Sequence, residues 1–140
     1  IETDAADRPS GALRDRLIDK GYDDETVAAV VDRLIEVGLV DDESYAQSAV
    51  RYCVGRLMGY RGAVMELARK GVDRPLAERV CDEARMSGVF EDAAWELGRR
   101  SAAKTQGMDP KVRKRRFWSS GGRKGHDAET LRAVAHELFD

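Results

Sequence analysis

The chain has 140 residues, 42% of them hydrophobic and 36% charged, with a net charge of −2. That is too apolar for a disordered chain and more charged than the roughly 25% of an average globular domain, a balance that long charged helices would explain. No run of about 18 apolar residues offers a spanning helix, and the two cysteines, Cys53 and Cys81, form no Cys-x-x-Cys metal or redox pair.

The chain opens on Ile1 rather than methionine, so a native start upstream is expected and a targeting segment there stays open; the cytoplasm is the default location. Residues 1–9 are read as a disordered or partly ordered lead-in. Beyond them, three prolines and much Ala, Leu, Val, Glu and Arg favour helix over strand. Apolar spacing places helices over about 10–20, 24–37, 42–56, 60–70, 74–87, 90–106, 110–120 and 127–139.

Those helices repeat. Leu17-Ile18-Asp19-Lys20-Gly21 matches Leu67-Ala68-Arg69-Lys70-Gly71 fifty residues on, and Lys124-Gly125 follows after fifty-four more. A glycine just past a helix takes the left-handed cap, and lysine in the last turn meets the negative helix end. Six, nine and thirteen residues after each glycine stand Val27, Val30 and Leu34, then Ala77, Val80 and Ala84, then Leu131, Val134 and Leu138. All lie along one helical stripe, widened at offset ten by Val31, Cys81 and Ala135. Each of these helices starts after an aspartate suited to cap it: Asp23 or Asp24, Asp73, and Asp127. A further helix begins at Asp41-Asp42-Glu43-Ser44-Tyr45 and again at Glu91-Asp92-Ala93-Ala94-Trp95. The expectation is an all-α, elongated array of three tandem three-helix repeats over 10–58, 59–107 and 108–140. The first is shortened at its N-terminus and the third is degenerate or truncated. Such units bury their apolar faces against one another and leave a long outer surface for a partner.

Charge is uneven along that array. Residues 1–98 carry −8, residues 99–124 carry +9 and the last sixteen carry −3. Within the basic block, Lys111, Arg113, Lys114, Arg115 and Arg116 precede Trp118, and Arg123 and Lys124 follow. The block is a candidate surface for phosphate or carboxylate, or a solvated helix face; Trp118 is a candidate for base stacking or for packing. Arg14, Arg16, Arg61, Arg69 and Lys70 flank the first two closures as secondary candidates.

Other residues read as structural. Asp41 and Asp42 stand where helix caps belong, with no histidine at ligand spacing. His126 follows the third closure, where the other copies have Tyr22 and Val72, and reads as packing or turn chemistry; neither it nor His136 sits in a metal pattern. Tyr45 and Trp95 share a repeat position and are expected in the core, and Cys81 is expected as a buried thiol. No phosphate loop, nucleophile elbow or catalytic constellation is present, so neither an enzyme nor a metal or other cofactor is expected.

Gly38-Leu39-Val40-Asp41-Asp42-Glu43-Ser44-Tyr45-Ala46, followed by Glu66-Leu67-Ala68-Arg69-Lys70-Gly71-Val72, resembles the signature of the RecX family of recombinase regulators. The triple repeat and the basic segment before the third closure extend the likeness over nearly the whole chain. The resemblance implies a monomeric bacterial cytoplasmic protein, not membrane-bound, that acts in recombination, DNA repair and the SOS response. It would bind RecA filaments on single-stranded DNA, lie in the filament groove, and restrain ATP hydrolysis, strand exchange and co-protease activity. A weak direct DNA contact is compatible with it, and a helical module binding single-stranded or duplex DNA is the alternative. Two departures stand out. Gly121 replaces the leucine of the other closures, and with Gly122 should weaken the helix by roughly 2 kcal/mol, fraying it near Ser120. At the front, Ser10-Gly11-Ala12 is a poor helix start.

Overall fold

The computed structural model describes residues 8–140, which form eight helices and no strand. They are α1 (Ser10–Asp19), α2 (Asp24–Glu36), α3 (Asp42–Gly55), α4 (Tyr60–Arg69), α5 (Arg74–Met86), α6 (Val89–Lys104), α7 (Pro110–Arg123) and α8 (Ala128–Phe139). Residues 1–7 of the expected lead-in lie outside the described residues; Pro9 is buried and stands immediately before α1.

The helix starts follow from local chemistry. Asp23, Asp73 and Asp127 accept from the amides of Thr26, Leu76 and Thr130 at 2.7, 3.3 and 2.7 Å, each satisfying a free amide of the first turn. Asp41 caps α3 through the Ser44 amide at 3.0 Å. Its neighbour Asp42 reaches further and accepts from the Ser10 amide at 2.7 Å and the Ser10 hydroxyl at 2.5 Å. The poor start of α1 is therefore capped from across the molecule, and the Asp-Asp pair divides into a local cap and a distant one.

The three closures share one hydrogen-bond pattern. Tyr22, Val72 and His126 donate back to the carbonyls of Leu17, Leu67 and Gly121 at 3.3, 3.0 and 3.0 Å, across glycines with φ of 100°, 103° and 85°. The last two glycines also seat another helix. A side chain on Gly71 would meet the Ala12 nitrogen at 2.5 Å, and one on Gly125 would meet the Gly62 nitrogen at 2.1 Å. The start of each unit's first helix thus presses backbone to backbone on the closure of the next. Gly59 completes the second of these joints by donating to the Lys124 carbonyl at 2.8 Å.

Packing groups the helices into three cores. Leu13, Val27, Val31 and Val40 form one between α1 and α2. Ala46, Val50, Leu67, Val80 and Cys81 join α3, α4 and α5 in the second. Leu97, Phe117, Leu131 and Val134 join α6, α7 and α8 in the third. The long helices α3 and α6 each share a core with the two helices after them, and α6 also sends Phe90 from its first turn into the second core.

One expectation fails. The α7 helix does not fray at Ser120 but continues through both glycines to Arg123. Gly121 is buried, and a side chain there would lie 2.3 Å from Leu131 Cδ2. The leucine missing from α7 is replaced by a larger residue on α8, so packing offsets the intrinsic helix cost of glycine.

Candidate functional site

The fold separates the candidate cations into those engaged inside the protein and those presented outward. The Arg113 guanidinium is held inside: it donates to the Thr105 hydroxyl at 3.1 Å and the Ala102 carbonyl at 3.0 Å, and lies 5.3 Å from the Phe139 ring centroid. Lys114 bonds the Asp140 carboxylate, whose pKa this contact, with a hydrogen bond from His136, holds below the ordinary range. Arg69 is forked onto Glu66 at 3.1 and 2.7 Å, which lowers the pKa of that carboxyl. Arg123 donates to the Ser119 hydroxyl at 2.7 Å. Lys70 lies 5.9 Å from the Tyr52 ring centroid and 3.8 Å from Glu66. Trp118 is half-buried against the third core.

Lys111, Arg115, Arg116 and Arg61 are exposed and enter no ion pair among the described residues. Arg14, half-buried, reaches the Ser10 hydroxyl at 3.5 Å, and Arg16 lines a shallow cleft with Lys20, Arg69 and Lys70 in which Asp15 and Asp19 also stand.

Of the sequence candidates, Arg116 and Lys124 come together in a second concavity of about 390 Å³. It lies where the end of α3, the last two turns of α6 and the face of α7 meet. Arg56, Arg100 and Lys104 line it too, with hydroxyls of Ser101, Thr105 and Ser120, an apolar floor of Leu57 and Leu97, and no carboxylate. This basin straddles the joint between the second and third cores. Lys124 Nζ donates to the Arg56 carbonyl at 2.9 Å, and His126 Nε2 lies 2.8 Å from the Leu57 carbonyl. Leu57 is the one described non-glycine residue with positive φ, at 62°.

Sequence reasoning missed Arg56, Arg100 and Lys104. A signal existed for the last two, since residues four apart share a helix face. Arg56 had none, because only the docking of α4 on the third closure brings it to α7. The inward turn of Arg113 accompanies the burial of Phe117: four residues before it, Arg113 shares that face.

The remaining titratable groups are structural. Cys53 and Cys81 are fully buried, and burial pushes the Cys81 thiol up to about 12, far from thiolate chemistry. His126 is buried and its pKa is lowered, chiefly by that burial. Tyr45 and Trp95 are half-buried against the second and third cores. Among the described residues no group of three or more His, Cys, Asp and Glu could hold a metal ion, and no helix is long and apolar enough to cross a membrane.

Known proteins resemble the chain in sequence and in fold. A family model described as RecX, first three-helix domain, matches residues 4–34. The regulatory protein RecX of Thermobifida fusca is 36% identical over 137 residues, covering 95% of this chain and 72% of the relative. That of Mycobacterium sp. (strain JLS) is 48% identical over 69 residues, covering 47% of this chain and 37% of the relative. The crystal structure of RecX from Lactobacillus salivarius superposes with a TM-score of 0.80 over 94% of this chain and 85% of that one, at 20% identity, a likeness of fold. On the strength of the match to the Thermobifida protein over 95% of this chain and 72% of the relative, this chain belongs to the RecX family of regulatory proteins.

Proposed function

We propose that the protein binds RecA filaments assembled on single-stranded DNA and restrains their ATP hydrolysis, strand exchange and co-protease activity. The observation that carries this reading is the alignment over 95% of the chain with a relative named as a regulatory protein. The physical support is the run of three cores in chain order, an arrangement that offers a continuous outer face to a polymer. Bridging two protomers would oppose the movement of one relative to the other. No chemistry on the nucleotide is asked of the regulator. The exposed Arg115 and Arg116 and the basin beside them are the proposed contact surface; Arg113 and Lys114 are tied to Thr105, Ala102 and Asp140 and do not line the basin.

A second reading, a module that binds DNA without RecA, is favoured by one observation: the basin carries five cations and no carboxylate. Binding to RecA filaments, to bare single strands and to duplex, measured at matched salt, separates the two. The filament reading expects the filament to bind tightest and RecA ATPase on single strands to fall as the protein is added. Equal affinity for bare DNA, with unchanged ATPase, would overturn it. Reversal of Arg115 and Arg116 to glutamate is expected to weaken filament binding and flatten its salt dependence.

A further inference from the structure

Elsewhere on this protein, surface arginines sit beside carboxylates of their own helix or a neighbouring one: Arg69 with Glu66, Arg74 with Glu78, Arg79 with Glu43, Arg85 with Asp82. Other exposed arginines, Arg61 and Arg115 included, have no such partner among the described residues, but the basin at the joint is where several cations gather on one concave surface without a lining carboxylate. Of its five cations only Arg100 has a carboxylate partner, Glu96 at 3.0 Å, and Glu96 is shared with Arg99. Lys104 and Arg116 make no hydrogen bond or ion pair among the described residues. Helix ends account for part of the excess: Arg56 caps α3, Lys124 caps α7 and Lys104 lies in the last turn of α6. Each helix end offers only about half a negative charge, so three of them offset roughly one and a half of the five positive charges. Arg100 and Arg116 sit away from any terminus. A concave surface with this surplus is suited to an anion.

The shape and donors narrow the anion. At about 390 Å³ the basin falls at the lower end of ligand-binding cavities and is far larger than one small ion needs. Arginines, lysines, Ser101 and Ser120 line it from three helices. Arg56 also donates to the Tyr52 hydroxyl at 3.0 Å, Arg100 to Glu96 and Lys124 to a carbonyl, while Lys104 and Arg116 are unpartnered among the described residues. Such a set suits the several acceptor oxygens of phosphate better than a flat carboxylate. The apolar floor of Leu57 and Leu97 suits the carbon face of a sugar. We propose that the basin binds a sugar-phosphate, gripped by Arg56, Arg100, Lys104, Arg116 and Lys124, the source being a nucleic-acid strand or a nucleotide. This deepens the reading above by naming what the contact surface holds. Because Arg56 belongs to the second core's helix and Arg116 to the third's, an occupied basin ties the two together across Leu57.

The test uses the isolated protein with two probes, a short single-stranded oligonucleotide and a nucleoside triphosphate, titrated over a range of salt. Lys104→Glu with Arg116→Glu is compared with a control of equal charge change, Arg33→Glu with Arg74→Glu, exposed cations that do not line the basin. All four sites are exposed, and circular dichroism verifies that both variants stay folded. Saturable binding is expected, weakened roughly tenfold or more by the basin variant and less than about twofold by the control, with a salt slope lower by about one for each lost phosphate contact. Binding of the oligonucleotide alone assigns the source to a strand, binding of the triphosphate alone to a nucleotide, and mutual competition to both. Absence of saturable binding, equal losses in the two variants, or displacement by polyglutamate as readily as by oligonucleotide would each overturn the proposal. RecA is absent from the test, so a negative result leaves the filament reading standing, and failure of filament binding leaves the phosphate grip intact.

Discussion

Val30, Val80 and Val134 hold one position in three successive repeats, nine residues past the closing glycine, yet their surroundings differ. Val80 is 4% exposed and Val134 fully buried, whereas Val30 is 43% exposed. The difference lies in what stands opposite. Val80 faces α3 within the second core, and Val134 presses on α6 at Gly98, where any side chain would meet its Cγ1 at 2.5 Å. No described helix plays that part for α2, and its flank also exposes Ile35, Val37 and Leu39. A stripe of apolar residues therefore states which face of a helix is able to be buried; depth is decided by the partner.

The largest effect expected from this comparison comes from placing a charge at each equivalent site. Val134→Asp leaves a carboxylate buried and unpaired and should cost more than about 3 kcal/mol. Val30→Asp, in solvent, should stay within about 0.5 kcal/mol apart from helix propensity. Urea denaturation of the two variants checks it. A comparable loss at Val30 would show that this face is covered in solution.

The same contrast explains how much of the fold was legible in the sequence. Helix positions, capping aspartates and closures follow from chemistry within a few residues, and the structure places all eight helices close to where spacing puts them. Which three helices share a core does not follow, because α3 and α6 are each amphipathic and could close either the unit before or the unit after. The site divides likewise. The block at 111–116 is visible as letters, but its separation into internal Arg113, tethered Lys114 and outward Arg116 depends on the angle at which α7 meets α6 and α8.

A smaller effect tests how the repeats exchange volume. Closure leucine and stripe residue pair as Leu17 with Val27, Leu67 with Ala77, and Gly121 with Leu131, so the third copy moves bulk from one helix to the next. Gly121→Leu restores the letter of the other copies yet drives a side chain into Leu131, and should cost about 1–3 kcal/mol despite better helix propensity. Leu131→Ala alone opens a cavity and should cost about 2 kcal/mol or more. The double variant imitates the middle unit, and its urea midpoint should lie closer to the parent than either single change. Additive losses would mean that the pair does not share one space.

The front of the array offers a sharper local contrast. Asp42 reaches Ser10 at the start of α1, while Asp92, its counterpart fifty residues on, is exposed and makes no side-chain bond to Tyr60 at the start of α4 among the described residues. Asp42→Ala should lower stability by about 1 kcal/mol and speed amide exchange in α1, whereas Asp92→Ala should leave α4 unchanged. Exchange in α1 that is insensitive to Asp42 would locate the hold on this helix at the Gly11–Gly71 contact instead.

The smallest effect concerns the two joints, where Val72 and His126 are counterparts but only one titrates. Burial lowers the folded pKa of His126 beneath its ordinary 6.5, outweighing the Leu57 carbonyl and the nearby Asp127, which raise it, with Lys124 adding to the lowering. A histidine depressed in the folded state binds its proton more readily when unfolded. Its contribution to stability is then complete above about 6.5 and is lost as pH falls through the lower, folded value. Urea midpoints between about pH 7.5 and pH 5 should decline in the parent and decline less in His126→Val, which copies the other joint. Equal declines in parent and variant would place the acid sensitivity outside this joint and mean that the imidazolium keeps enough contact with Asp127 and water to remain charged where it stands.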